Sequence, residues 1–302
     1  MVTVRVPATT ANLGPGFDCL GAALALYARF QFSLQPEGLV ITGTDASYAD
    51  DNNLVYRAYR AALKEQGISP AGLRLHIASD IPASRGLGSS AACILGGILG
   101  ADALHGLRMP QEEVFRLAVR LEGHPDNIAP ALFGGVQVSL MEEGRPLSLP
   151  VALHPGWRFL ALIPDQDLST AAARAALPAL VSLHDAVYNL THAAFLVKAL
   201  EGDDPRLLRA ACQDRLHQDA RFALIPSAAA LQTAAEECGA AACFLMPTYY
   251  VNPGVGSGDW SSRLASATGV EAGSRQTSPM LSASSAASAA AVRRSRLGEF
   301  TL

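Results

Sequence analysis

The chain has 302 residues, half of them apolar and 17% charged, with a net charge of −4. That length suits one large domain or two packed ones with a full apolar core. Weak acidity gives no reason to expect nucleic acid or an anionic membrane as partner.

The first third is β-rich in pattern. Residues 2–6 and roughly 23–34 alternate or run apolar as strands do. The first seven residues lack a basic stretch followed by an apolar core, so no secretory signal is expected. Asp51-Asn52-Asn53 offers caps to a helix over about 54–66, closed by Gly67. A strand over 73–77 then leads into Pro82-Ala83-Ser84-Arg85-Gly86-Leu87-Gly88-Ser89-Ser90-Ala91-Ala92, which opens a small-residue helix running to about His105.

Two glycines and two serines where a helix begins can hold a phosphate. The first-turn N–H groups lack intrahelical partners, and the helix dipole is positive there. Glycine admits close backbone approach, and the hydroxyls add donors or a magnesium ligand. By itself the motif reads equally as a glycine turn with serine caps. No GxxxxGK[ST] occurs, so the common Walker loop is excluded. The apolar run 91–104 contains Asp102 and is too short to span a bilayer.

Farther on, Pro110-Gln111-Glu112-Glu113 starts another helix, with proline and acids where a first turn favours them. His124-Pro125-Asp126-Asn127 makes a turn before a short helix to Leu132 and a strand over 135–140. A soft boundary is expected over 142–155, then a strand over 157–163 and helices over 170–177, 180–200, 204–218 and 226–238. Strands and helices are mixed rather than strictly alternating, so the fold class is α+β. Residues 1–150 and 151–246 are expected as two domains. From 247 to 302, serine, alanine and glycine supply 26 of 56 residues without a sustained period, so a largely disordered tail is expected. Cys19, Cys93, Cys212, Cys238 and Cys243 form no CxxC pair. Reduced thiols in a cytoplasmic protein follow, with Cys19 and Cys93 as packed thiols.

Three segments together resemble the GHMP kinase superfamily, and within it the homoserine kinases. They are the phosphate loop at 82–92, the opening Val6-Pro7-Ala8-Thr9-Thr10-Ala11-Asn12-Leu13-Gly14-Pro15-Gly16-Phe17-Asp18, and His124-Pro125-Asp126-Asn127-Ile128-Ala129-Pro130-Ala131-Leu132-Phe133-Gly134-Gly135. The resemblance covers about residues 1–240 and implies a two-domain kinase with ATP and an amino-acid alcohol, L-homoserine, in the cleft between domains. It also implies, in many members, a homodimer. Another small-molecule GHMP kinase, or a catalytically impaired nucleotide-binding descendant, stands as the alternative.

The resemblance places ATP against Pro82, Arg85, Gly86, Leu87, Gly88, Ser89, Ser90, Ala91 and Ala92, with Asn53 at the adenine. Ser90 and Glu122 would hold Mg2+ between the phosphates, as its preference for oxygen ligands allows. The substrate would lie against Asn12, Asp18, Thr170, Arg174 and Arg221. Arginine suits a carboxylate through paired hydrogen bonds, and Asp18 suits an ammonium. Asn127 would orient the hydroxyl, with Asp126 as a candidate base and His124 beside it.

Each residue also has a plainer reading. Asn53 and Thr170 are good helix N-caps, and 12–16 is a tight turn. Glu122 suits a solvated helix end, the two arginines suit exposed helix faces, and His124 suits a structural turn.

The chain departs from the family after about residue 240. A Ser-Gly-x-Gly-Pro-like loop belongs there, but the sequence reads Ala241-Ala242-Cys243-Phe244-Leu245-Met246. With 21 arginines against two lysines, the gene looks GC-rich, and another reading frame of such a gene would yield serine, alanine, glycine and arginine. Residues 241–302 are therefore expected to be out of the ancestral frame, with true divergence as the rival. The C-terminal domain is expected to be incomplete and activity weakened.

Overall fold

The computed structural model describes residues 1–83, 85–157, 159, 161–162, 170–225, 228–237, 240–242 and 249–250. Expectations for 247–302 and for the closing glycine loop lie essentially outside these residues.

The longest strand organises the sheet. Strand β2 (Leu20–Gln35) pairs antiparallel along one edge with β1 (Val2–Ala11), from Val2 opposite Phe32 to Ala11 opposite Gly21. Its other edge is shared. Ala28–Gln35 pairs with β4 (Gly72–Ser79), and Leu20–Ala22 pairs with β5 (Val136–Glu142). Parallel β3 (Leu39–Thr42) extends the sheet beyond β4, and β6 (Arg145–Val151) extends it beyond β5. Pro146 and Pro150 are compatible with β6 because a strand at a sheet edge tolerates missing donors. The soft boundary expected over 142–155 is thus mostly a β5–β6 hairpin. Its proline and glycine mark an edge strand and a turn rather than a linker.

Helices α1 (Leu54–Glu65), α2 (Ser89–His105), α3 (Gln111–Glu122) and α4 (Ile128–Phe133) enclose the first core with one face of this sheet. Helix α2 is buried on several sides and so lacks an amphipathic stripe. Its glycines explain how close it lies. A Cβ on Gly96 would come 2.4 Å from the Phe30 ring, and one on Gly100 would come 2.3 Å from Phe32. The start of α2 lies against Thr9, near the C-terminal end of β1, where the candidate site forms.

A second apolar cluster joins Ala11, Leu13 and Leu20 to Trp157, Leu196, Leu200 and Leu208. Helices α6 (Leu183–Glu201) and α7 (Pro205–Ala211) contribute to it, and the same part of the chain also holds a short strand β7 (Ala161–Leu162) and helices α5 (Thr170–Ala175), α8 (Gln218–Phe222) and α9 (Ala228–Glu237). Strand β8 (Tyr249–Tyr250) pairs with β7. The helix expected over 204–218 ends at Ala211, and the next helix begins only at Gln218. Asp214 draws the backbone N–H groups of Leu216, His217 and Gln218 onto its carboxylate and starts α8 afresh.

Candidate active site

The phosphate-loop candidate is fastened to β1. Gly86 and Gly88 have φ of +69° and +65°, a left-handed backbone that glycine adopts without strain. Gly88 is the N-cap of α2, and a Cβ there would come 1.9 Å from the Thr9 hydroxyl oxygen. The Thr9 N–H donates to the Leu87 carbonyl at 3.1 Å. Leu87, Ala91 and Ala92 are buried and support the loop, whereas Pro82, Arg85, Gly86, Gly88 and Ser89 are half-buried and Ser90 is exposed. Ser84 lies outside the described residues.

The Ser90 hydroxyl donates to Glu122 Oε2 at 2.6 Å, bringing together a serine and a carboxylate 32 positions apart. Burial raises the Glu122 pKa, and the serine hydrogen bond opposes that rise. Glu122, half-buried at the end of α3, is thus paired with the exposed Ser90 rather than standing alone in solvent. A hydroxyl and a carboxylate suit a hard cation, and among the described residues no group of three or more His, Cys, Asp or Glu side chains could hold a metal by itself. Such a pair fits Mg2+ when phosphate oxygens and water supply the remaining ligands.

Asn53 caps α1. Its Oδ1 accepts from Val55 at 3.0 Å and Tyr56 at 3.3 Å, while Nδ2 donates to the Tyr48 carbonyl at 2.7 Å. One amide hydrogen is left for any further partner.

Charges of both signs gather at the β1–β2 connection. Asn12 and Asp18 have φ of +59° and +54°, and Asn12 Oδ1 accepts the Asp18 N–H at 2.8 Å. From α5, Arg174 donates to both Asp18 oxygens, at 2.7 and 3.0 Å. That hydrogen bond raises the pKa of Arg174 above its ordinary value. Arg221 on α8 is only 4% exposed, so the surface-arginine reading fails for it. Its Nε has no hydrogen-bond partner, and burial followed by the nearby Arg174 lowers its pKa. Both guanidinium carbons lie near the Phe17 ring centroid, at 5.6 Å for Arg174 and 5.2 Å for Arg221. Thr170 begins α5, but its side chain is outside the described set.

The acceptor-segment candidate approaches from the other side. His124 Nδ1 and Asp126 Oδ1 are 2.6 Å apart, and this bond raises the His124 pKa against the opposing effect of burial. Asp126 is 1% exposed and its Oδ2 has no partner. Asn127 Oδ1 accepts the Thr9 hydroxyl at 2.9 Å. Gly21 permits the approach, since a Cβ there would come 2.0 Å from the Asp126 carbonyl oxygen. Between the two aspartates, Cys19 is pushed up to about 11, first by burial and then by Asp126 and Asp18. Cys93 is likewise pushed up to about 11 by burial, so both are packed thiols with little thiolate character.

The GHMP kinases N terminal domain model matches residues 53–135, which span the phosphate loop and the acceptor segment. A homoserine kinase of Clostridium botulinum (strain Loch Maree / Type A3) is 44% identical over 245 residues, covering 81% of this chain and 82% of its own. The chain belongs to the homoserine kinase family. A homoserine kinase of Clostridium beijerinckii is 43% identical over 246 residues, 81% of this chain and 83% of its own. The crystal structure of homoserine kinase from Cytophaga hutchinsonii covers 88% of this chain and 89% of its own at 26% identity, with a TM-score of 0.78. The crystal structure of L. major mevalonate kinase in complex with R-mevalonate shares the fold, with a TM-score of 0.65 at 16% identity over 87% of this chain and 90% of its own. The expected family and α+β class are thereby borne out.

Several residues of this homoserine kinase family member went unassigned in the sequence reading. Thr9 and Phe17 stand inside the opening motif, but nothing in a linear motif shows that they reach 118 positions to Asn127 or face two distant arginines. His217 is 1% exposed and places Nε2 2.7 Å from the Gly14 carbonyl and Nδ1 3.4 Å from Arg221. Burial lowers its pKa, which favours a neutral ring with its hydrogen on Nε2 and a lone pair facing the guanidinium. The four-residue spacing to Arg221 was the available signal, obscured by expecting one helix to end at 218.

Proposed function

We propose that this protein transfers the γ-phosphate of ATP to the side-chain hydroxyl of L-homoserine, forming O-phospho-L-homoserine for threonine biosynthesis. The supporting observation is that the phosphate loop and the Asp18–Arg174–Arg221 charges meet through Thr9, Asn127 and the β1–β2 connection. Residues 1–150 are the nucleotide-side domain, and 151–246 are the substrate-side domain.

The loop at 86–91 binds the β- and γ-phosphates with backbone N–H groups and serine hydroxyls. Ser90 and Glu122 would hold Mg2+, which supplies neutralisation of phosphate charge. Asp18 takes the substrate ammonium, assisted by Asn12, while Arg174 and Arg221 take the carboxylate. The amino-acid zwitterion thus inserts into an existing pair of opposite charges, and each protein charge exchanges one partner for another. A neutral alcohol offers no such exchange and would leave the pair closed. Asn127 orients the hydroxyl. Asp126 Oδ2, buried and unpartnered, is the candidate acceptor for its proton, with His124 holding the other oxygen. Catalysis is otherwise positioning and charge stabilisation.

The test is ADP release by the purified protein with L-homoserine and a panel of other alcohols, at saturating ATP and Mg2+. Turnover confined to another alcohol rejects the homoserine assignment. Nucleotide binding without any turnover identifies the impaired descendant.

Among the described residues no helix is long and apolar enough to cross a membrane. We place the protein in the cytoplasm as a homodimer, which fractionation and sedimentation equilibrium test. We read the missing closing glycine loop at 241–246 as a departure of the tail from the family. Resequencing the gene tests the frame explanation. An in-frame reading that reproduces 241–302, with no family-like segment downstream, rejects it.

A further inference from the structure

We infer that Thr9 is a positioning residue for the transfer step, holding the Asn127 amide at a fixed place and orientation relative to the phosphate loop. The inference rests on the reading that Asn127 contacts the acceptor hydroxyl, and it adds what sets that contact.

Thr9 is fully buried in β1 and serves two distant segments at once. Its N–H donates to Leu87 O at 3.1 Å, and its hydroxyl donates to Asn127 Oδ1 at 2.9 Å. The hydroxyl occupies space that any side chain at 88 would need, only 1.9 Å from where a Cβ would stand. A β-branched side chain has few χ1 choices, so this crowding restricts Thr9 further.

Asn127 supplies an independent observation. It is the N-cap of α4, a position where asparagine usually spends its side-chain oxygen on its own helix. Here it makes no capping hydrogen bond, and the oxygen is turned to Thr9 instead. With Oδ1 held, Nδ2 is the face left for another partner, so Asn127 presents a donor to the acceptor oxygen. The hydroxyl hydrogen must then point elsewhere, which suits the unpartnered Asp126 Oδ2 or a phosphate oxygen.

One rigid residue thereby sets the spacing between the phosphate cradle and the nucleophile's anchor. A phosphoryl acceptor misplaced by about 1 Å loses roughly 100-fold in rate. Thr9 itself touches neither substrate, so its effect travels through Asn127.

The experiment compares Thr9→Val, Thr9→Ser, Asn127→Ala and the Thr9→Val/Asn127→Ala double variant by steady-state kinetics. Thr9→Val preserves shape and removes only the hydroxyl. Its kcat should fall about 10- to 100-fold, with KM for ATP and for homoserine within about threefold. Thr9→Ser should retain kcat within about fivefold. In the Asn127→Ala background, Thr9→Val should cost little more, since its target is already gone. A normal kcat in Thr9→Val beside an impaired Asn127→Ala overturns the inference and leaves the Asn127 reading standing. Losses that multiply in the double variant overturn it as well, because Thr9 would then act by another route. A normal kcat in Asn127→Ala overturns the underlying reading and the inference with it. Should Thr9→Val not fold, Thr9→Ala against Thr9→Ser isolates the hydroxyl at equal loss of the methyl, with the same criteria.

Discussion

Replacing Arg221 by methionine should stabilise the ligand-free protein while removing its use of homoserine. Arg221 is 4% exposed, its Nε is unpartnered, and its NH1 reaches His217 only at 3.4 Å. Burial is the leading reason that its pKa is lowered, with the like charge of Arg174 second, so the fold disfavours the guanidinium. Asp18, Asp126 and Asp214 offset part of this cost. Apolar replacement of a whole buried ion pair is commonly neutral or stabilising by about 1–4 kcal/mol, whereas truncating one member of a pair is destabilising. Arg221 makes no ion pair among the described residues, so its replacement belongs at the low end of the stabilising range. Methionine has similar length and fills irregular space, but the replacement leaves His217 Nδ1 without its donor. The net gain should be about 1–2 kcal/mol, or roughly 2–3 °C in melting temperature for a chain of this size. Loss of a sheltered carboxylate contact should cost about 2–4 kcal/mol, raising the homoserine KM roughly 30- to 900-fold. KM for ATP should stay within about threefold. The assay is thermal unfolding with and without homoserine, alongside steady-state kinetics. A lower melting temperature would show that Arg221 is a structural support. An unchanged homoserine KM would refute its contact with the substrate.

Gly88→Ala should lower stability by about 2–3 kcal/mol, combining left-handed strain with displacement of the Thr9 hydroxyl, and should cut turnover at least 100-fold. Gly106→Ala is the control: with φ of +64° and no neighbour within 4 Å of its Cβ, it should cost only about 1 kcal/mol by urea unfolding. Equal losses at both positions would deny that crowding at Thr9 matters. Glu122→Gln should raise the Mg2+ concentration for half-maximal rate about 10- to 100-fold, seen by magnesium titration of ADP release, while an unchanged titration removes Glu122 from the metal. His124 has its folded pKa raised by Asp126, so its contribution to stability is fully present below its unfolded value of about 6.5 and fades as pH rises through the folded pKa. The difference in unfolding free energy between wild type and His124→Gln should therefore shrink from pH 6 to pH 9, and a widening difference would reject the pair.

Local chemistry carried much of the fold into the sequence. Asn53, Gly67, Gly88 and Gly106 end or begin helices as their types suggest, and the apolar alternation of β1 and β2 was readable although both strands run longer. Strand β3 escaped because its four residues gain their place only by parallel pairing with β4. The break between α7 and α8 escaped because Asp214 acts on three N–H groups that no hydrophobic period reveals. At the site, residue types and motifs identified the charged groups but not their pairing. Asp18 and Arg174 are 156 positions apart, and only the packing of α5 against the β1–β2 connection joins them. His217 is hidden for a similar reason: beside its helical spacing to Arg221, its importance lies in Gly14 and Phe17, which the sequence keeps distant.

The two arginines differ in a way that assigns them different work. Arg174 is partly exposed and already neutralised by two hydrogen bonds to Asp18, so its ligand-free state is comfortable. Arg221 is enclosed, imperfectly bonded and held against a neutral imidazole. An arriving carboxylate gains little from Arg174 beyond what Asp18 already supplied, because that contact is an exchange. At Arg221 it meets a charge that Asp18, Asp126 and Asp214 compensate only in part. Differential binding should therefore come chiefly from Arg221, while Arg174 and Asp18 set the orientation of the zwitterion. On the proposed substrate reading, stability withheld from the empty site would make the filled one selective for a carboxylate.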